Sequence, residues 1–383
     1  MLITADTVAT GSEILRPGWI EVDGPRISAL GSGEPPRPLT GADLALGSVT
    51  VVPGFVDMHV HGGGGGAFPV ATAAESEAAV ALHRTHGTTT TMASLVSAHP
   101  DELLREVSVL AEQVQDGLLA GIHLEGPWLS PLKRGAHQPD TLRRPDPAEI
   151  ARVLAAGKGA VRMVTLAPEL DGGLDAIRQI VDAGAVAAIG HTDASYEQAR
   201  QAIAAGATVA THLFNAMRPI HHREPGPVVA LLEDAGVTVE LIGDGVHLHP
   251  TLYREVCERV GPSRVTLVTD AMAAAGMPDG PYTLGALAVE VVGGVAHLAG
   301  TDTIAGSTAT MDDLFRFALA HGPADGDEAL TWAVAQTSVN PARAVGFAEA
   351  GFRAGAPADA VVLDAEASVT GVLCGGQWVR PLS

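Results

Sequence analysis

Only two cysteines, Cys257 and Cys374, occur in 383 residues. So far apart, they offer no disulfide framework and no Cys-x-x-Cys metal knuckle; this suits a reducing cytosol, so a cytoplasmic location is expected. Basic residues are scarce as well. The 23 Lys and Arg face 44 Asp and Glu, for a formal net charge of −21. Such a field repels nucleic acid and anionic membranes, so neither is an expected partner, and an anionic substrate would need a local basic cluster. No apolar run approaches the length of a membrane helix. Residues 1–11 combine no basic start with a long apolar segment, so no secretory leader is expected. No low-complexity linker divides the chain.

What is present is a large apolar complement, 46% of residues, arranged as short β-like runs alternating with Ala-rich amphipathic stretches. Strands are predicted over 50–60, 88–95, 119–124, 161–167, 186–190, 208–213, 237–242 and 265–269. Helices such as 73–85 and 195–205 lie between them, and several end at glycines (Gly87, Gly184, Gly206) suited to a left-handed C-terminal residue. Eight strand–helix repeats predict an α/β fold, a closed parallel (β/α)8 TIM-like barrel. An open doubly wound sheet would instead place a Gly-rich dinucleotide turn after its first strand, where His59 and His61 stand here. The two ends read differently. Short strands in residues 1–50 and 350–383 cannot bury a core separately, so they are expected to pair as one small β-sandwich domain beside a barrel of residues 51–349. A β-rich insert at 282–298 reads as hairpins on the barrel rim.

The chemistry gathers at strand ends. Asp57-Met58-His59-Val60-His61 follows an apolar run, and alternation along a strand would turn both imidazoles to one face. Gly62 to Gly66 follow and leave room for close backbone approach. Glu125 follows strand three, His191 ends strand five, His212 lies near the end of strand six, and Asp270 ends strand eight. In a parallel barrel these ends meet on one face, where such folds carry their active sites. Imidazole with carboxylate and no thiolate suits a divalent cation, zinc first, with iron, manganese or cobalt also admitted. The only lysines are Lys133 and Lys158. Neither lies in strand four, so Glu125 is the natural shared carboxylate. Glu125, His191 and His212 would complete one site, and His59 with His61 a second, giving one or two metals per subunit. A water held by such a cation has its pKa lowered to about 7. Asp270 is placed to take its proton and pass it to a leaving nitrogen.

These residues resemble the amidohydrolase superfamily and, more narrowly, the N-acetylglucosamine-6-phosphate deacetylase family. The narrower likeness rests on His123-Leu124-Glu125-Gly126-Pro127-Trp128, Thr211-His212-Leu213-Phe214-Asn215-Ala216-Met217, Arg223-Glu224-Pro225-Gly226, Asp244-Gly245-Val246-His247 and Leu267-Val268-Thr269-Asp270-Ala271. The resemblance implies removal of acetate from N-acetylglucosamine 6-phosphate. It implies that Glu125, His191 and His212 bind the principal metal and that Asp270 is the acid/base. It implies that His247 hydrogen-bonds the acetyl oxygen and that Asn215 and Ala216 face the phosphate or the sugar. Arg223 would clamp the phosphate from a neighbouring subunit, which implies a homodimer. Ala136, His137, Ile304, Ala305, Gly306 and Ser307 would complete the sugar pocket. Some members lack the second His of the first motif; this chain keeps both His59 and His61. The competing readings are an amidohydrolase of another amide, such as a cyclic amide or dipeptide, and a barrel scaffold without catalysis.

Overall fold

A computed structural model describes residues 1–347 and 351–382. Its centre is an eight-stranded parallel sheet of β1 (Phe55–Asp57), β2 (Thr88–Leu95), β3 (Gly121–Glu125), β4 (Val161–Leu166), β5 (Val186–Ile189), β6 (Val209–Ala210), β7 (Thr238–Leu241) and β8 (Val265–Leu267), each paired with the next in chain order. The two outer strands are drawn together where Thr269 Oγ1 donates to Asp57 at 2.5 Å and the Asp270 amide donates to the His59 carbonyl at 2.8 Å. The (β/α)8 expectation is met. The helices begin as their sequences direct. Thr72 caps Ala73–Thr85, and Ser195 with Gln198 forms a capping box on Tyr196–Ala204.

Alternation along the strands stacks the barrel interior in layers. Met58, Met92, Met163, Ala188, Val209, Ile242 and Val268 pack as one buried apolar cluster. Two residues further along their strands stand Ser94 and Thr165, which with His123 and Thr211 form a buried polar layer linked through Ser94–His123 (2.9 Å), His123–Thr165 (2.8 Å) and Thr165–Thr211 (2.8 Å). This layer is the floor of the site.

The predicted first strand divides in two. Thr50–Pro53 pairs antiparallel with Ala360–Leu363 and parallel with Thr7–Ala9, inside a six-stranded sheet, whereas Phe55–Asp57 starts the barrel. Gly54 is the break, and a Cβ there would overlap the Thr89 side chain. Segments from both chain ends thus share a sheet. A four-stranded sheet of Arg26–Ser32, Gly18–Asp23, Leu2–Ala5 and Leu44–Ala45 packs against it through Ile3, Ile20, Ile27, Val51 and Val362. The expected boundary at 349/350 lies outside the described residues. The rim insert forms a three-stranded antiparallel sheet, Gly280–Leu284, Leu287–Val292 and Val295–Leu298.

Candidate metal centre and active site

Beyond β1 the backbone has left the strand, yet His59 and His61 still meet, Nε2 to Nε2 at 3.2 Å. Both rings lie near Asp270 Oδ1, at 3.4 Å from His59 and 3.2 Å from His61. A second trio forms beside the first. His191 Nε2 and His212 Nε2 each lie 2.9 Å from Glu125 Oε1 and 3.1 Å from one another. Glu125 Oε2 reaches back to His61 Nε2 at 3.2 Å and across to His137 Nε2 at 3.3 Å. In each trio the possible ligand atoms lie within 4.8 Å of one another, and all six residues are buried.

Backbone strain aims several of these groups. His191, His212 and Asp270 have φ of 46°, 28° and 48°. Non-glycine residues occupy that region sparingly, and each such residue costs about 1–3 kcal/mol unless its surroundings hold it there. The holding contacts are visible. The Ser130 amide donates to the His191 carbonyl at 2.9 Å, the Ser307 amide to the Asp270 carbonyl at 2.7 Å, and the His212 amide to Glu240 at 3.1 Å.

The donor set fits a divalent cation. Nitrogen lone pairs and carboxylate oxygens facing one another at these distances repel unless protons or a cation lie among them. In three of the four imidazoles the far ring nitrogen is engaged as in metal-binding histidines, whereas Nδ1 of His212 is buried without a hydrogen-bond partner. Nδ1 donates to Glu240 from His59 (3.2 Å), to the Ser94 carbonyl from His61 (3.1 Å) and to the Lys133 carbonyl from His191 (2.9 Å). Electrostatics agree. Burial opposes charge on Glu125 and Asp270, but neighbouring imidazoles outweigh it and hold both carboxyls below the usual range. Burial likewise pulls the His61 ring down, yet Asp270 and Glu125 override it and push it up to about 9. The cluster is a concentration of ionised carboxylate that calls for positive charge.

Above the trios opens a cavity of about 570 Å³, lined by His61, Glu125, His191, His212 and Asp270 at its base. Ala136, His137, Asn215, Ala216, Ile304 and Gly306 form its walls, and Lys133 and Arg134 also line it. His247 stands on the far wall, its Nδ1 donating to Asp244 at 2.7 Å. Burial lowers the affinity of this ring for a proton, but the Asp244 hydrogen bond and charge prevail and leave it raised. Three predicted residues stand elsewhere. Arg223 is exposed, with Nη1 2.7 Å from His222 Nε2, and does not line the cavity. Ala305 is fully buried in the cluster behind the rim insert. Ser307 donates its hydroxyl to the Thr269 carbonyl at 2.5 Å and borders a neighbouring cavity.

Sequence reasoning passed over Glu240, on β7, and Asp57. Glu240 is fully buried and contacts His59 and the His212 amide. A single carboxylate inside the apolar run Val237 to Ile242 was the available signal, because such a group is rarely buried without a partner.

Imidazoles and carboxylates gathered at the C-terminal mouth of a parallel barrel define a metal-dependent hydrolase of the (β/α)8 class. Residues 50–379 match the amidohydrolase family. An Asp-to-Ala variant of N-acetyl-D-glucosamine-6-phosphate deacetylase from Mycobacterium smegmatis, solved in complex with N-acetyl-D-glucosamine 6-phosphate, superposes with a TM-score of 0.98 at 62% identity, over 100% of this chain and 99% of that one. The N-acetylglucosamine-6-phosphate deacetylase of Danio rerio is 38% identical over 348 residues, 86% of this chain and 84% of that protein. The N-acetylgalactosamine-6-phosphate deacetylase of Escherichia coli O157:H7 is 34% identical over 370 residues, 94% of this chain and 95% of that protein. The chain belongs to the amidohydrolase family, in the branch that these sugar-phosphate deacetylases form.

Proposed function

We propose that this chain hydrolyses the N-acetyl amide of N-acetyl-D-glucosamine 6-phosphate to D-glucosamine 6-phosphate and acetate. The observation that carries the chemistry is the meeting of the Glu125–His191–His212 trio and Asp270 at the base of one cavity. The substrate follows from the similarity to the N-acetylglucosamine-6-phosphate deacetylases named above. Glu125, His191 and His212 would hold the principal metal and His59, His61 and Asp270 a second, zinc being the first choice for such donors. When bound, the cation supplies Lewis acidity to the amide carbonyl and hydroxide at neutral pH.

The protein's own groups do the rest. Asp270, ionised at neutral pH, accepts a proton from the attacking water and delivers it to the amide nitrogen as the C–N bond breaks. The water oxygen ends in acetate and the amine leaves protonated. His247 can donate to Asp244 and to the acetyl oxygen together only as imidazolium, the form that Asp244 favours, and so meets the oxyanion as it develops. Asn215, Ala216, Ala136, His137, Ile304 and Gly306 would shape the sugar subsite, with Ala305 and Ser307 supporting the rim from behind. Lys133 and Arg134 bring positive charge to the mouth. Arg223, which does not line the cavity of its own chain, would clamp the phosphate in a neighbouring subunit, which makes the working unit a homodimer. Among the described residues no helix is long and apolar enough to cross a membrane, and the two unpaired cysteines fit a cytoplasmic setting.

Acetate release from N-acetylglucosamine 6-phosphate, its 4-epimer and the unphosphorylated sugar tests the reading. The 6-phosphate of the gluco sugar is expected to have the highest kcat/KM. Equal rates with and without phosphate would refute it, and a preference for the 4-epimer would reassign the substrate.

A further inference from the structure

Glu240 has no exposed surface, and among the described residues its only ion-pair partner is His59. One oxygen, Oε2, accepts from His59 Nδ1 at 3.2 Å and from the His212 amide at 3.1 Å. The other, Oε1, has no hydrogen-bond partner. A buried carboxylate half satisfied by one imidazole is costly in isolation. Its position is informative, because His59 and His212 belong to different trios. The carboxylate stands behind both and touches the reacting cavity at neither.

We infer that Glu240 is a positioning residue for the metal centre: through Nδ1 of His59 it sets the metal affinity of the His59–His61–Asp270 trio, and through the His212 amide it holds the neighbouring trio in place. A carboxylate accepting the Nδ1 proton fixes the tautomer that leaves Nε2 free as a ligand, and it makes that nitrogen more basic. A cation on Nε2 then balances the buried charge across the ring. The effect on the second trio is weaker, because the bond there is to backbone and leaves the electronics of the His212 ring untouched.

The inference rests on reading the two trios as metal-holding, and its test involves no sugar, so failure of the substrate assignment leaves it standing. Metal-free protein is titrated with Zn²⁺ against a chromophoric chelator, and bound metal is counted. The wild type is expected to take two equivalents. In Glu240→Gln, which keeps the shape and an acceptor oxygen but removes the charge, the weaker equivalent should lose about 10–100-fold in affinity while the tighter one is unchanged. Unchanged binding of both equivalents overturns the inference. Equal weakening of both also overturns it, since that is the mark of a general packing defect. A wild type that takes only one equivalent removes the His59–His61–Asp270 trio as a metal site, and this inference with it. A second measurement does not depend on the variant folding. In zinc-loaded wild type labelled with ¹⁵N-histidine, His59 should carry its proton on Nδ1, and a proton on Nε2 would overturn the assignment.

Discussion

Replacing Asp270 by Asn separates proton transfer from metal binding. Asn preserves the shape of the side chain, so the backbone bonds that hold this strained residue, to the His59 carbonyl and from the Ser307 amide, survive. What is lost is the charge. In the wild type the imidazoles of His59 and His61 outweigh burial and keep the Asp270 carboxyl below its ordinary range, so it is ready to accept a proton throughout the neutral region. An amide oxygen is not. General acid–base groups contribute about 10²–10⁴-fold, equivalent to about 3–5 kcal/mol of barrier, and kcat is expected to fall by that factor. The complication is that Asp270 Oδ1 stands 3.2 Å from His61 Nε2, so the His59–His61–Asp270 trio also loses an anionic donor. Acetate release and bound metal are therefore measured on the same sample over a range of added zinc. Turnover within about tenfold of wild type at full metal content would take Asp270 out of the proton path. Recovery of full turnover at high zinc would leave it as a ligand only.

Other perturbations address the walls. Asp244→Asn removes the partner that raises His247, so the high-pH limb of kcat/KM should move to lower pH; an unmoved limb would show that His247 does not act as a cation. The same pair has a stability signature. The raised His247 contributes below its unfolded pKa and loses that contribution as pH rises through its folded value, whereas the lowered Asp244 contributes above its unfolded pKa and loses it as pH falls. Arg223→Ala should raise KM for the phosphorylated sugar and leave the plain sugar unaffected, with equal effects on both ruling out the clamp. Phe55→Ala removes a fully buried ring packed at a 31° tilt against Phe315, with 5.3 Å between centroids. It should cost about 3–5 kcal/mol, read as a lower midpoint of denaturant unfolding, and a loss below about 1 kcal/mol would show that the site collapses.

The legible parts of the chain were those governed by periodicity. In β3, alternation places His123 and Glu125 on the inward face, and the structure puts both inside the barrel. The helix predicted over 73–85 is Ala73–Thr85. What periodicity misses is the point where a strand ends. The expected strand at 208–213 shrinks to Val209–Ala210 because His212, Phe214 and Ala216 turn to positive φ, a departure that residue type does not announce outside glycine. Those departures orient the ligands, so their identities were readable while their geometry was not. Glu240 illustrates the complementary blind spot. Its function depends on His59 beyond β1 and on the His212 amide beyond β6, both distant in sequence, and no local pattern encodes that proximity. Arg223 marks a third limit, since its proposed target belongs to another copy of the chain.

The overall acidity poses one further problem, because a chain of formal charge −21 should repel a sugar phosphate. Distance resolves it. At about 0.01 M salt the Debye length is about 30 Å and the whole molecule is felt, whereas at about 0.1 M it is about 10 Å and only the mouth matters. Near the mouth stand Lys133 and Arg134, with cations of the metal centre beneath and the proposed Arg223 of a second copy beside them. Moderate salt should therefore screen repulsion first. The expected kcat/KM rises from about 0.01 to about 0.1 M salt, then falls toward about 1 M, where a Debye length of about 3 Å screens the local groups as well. The unphosphorylated sugar, having no charge, should show neither limb. A steady fall from the lowest salt would mean that the global field never reaches the entering phosphate; a steady rise would mean that the mouth supplies no net attraction, and the phosphate-binding role of these cations would have to be abandoned.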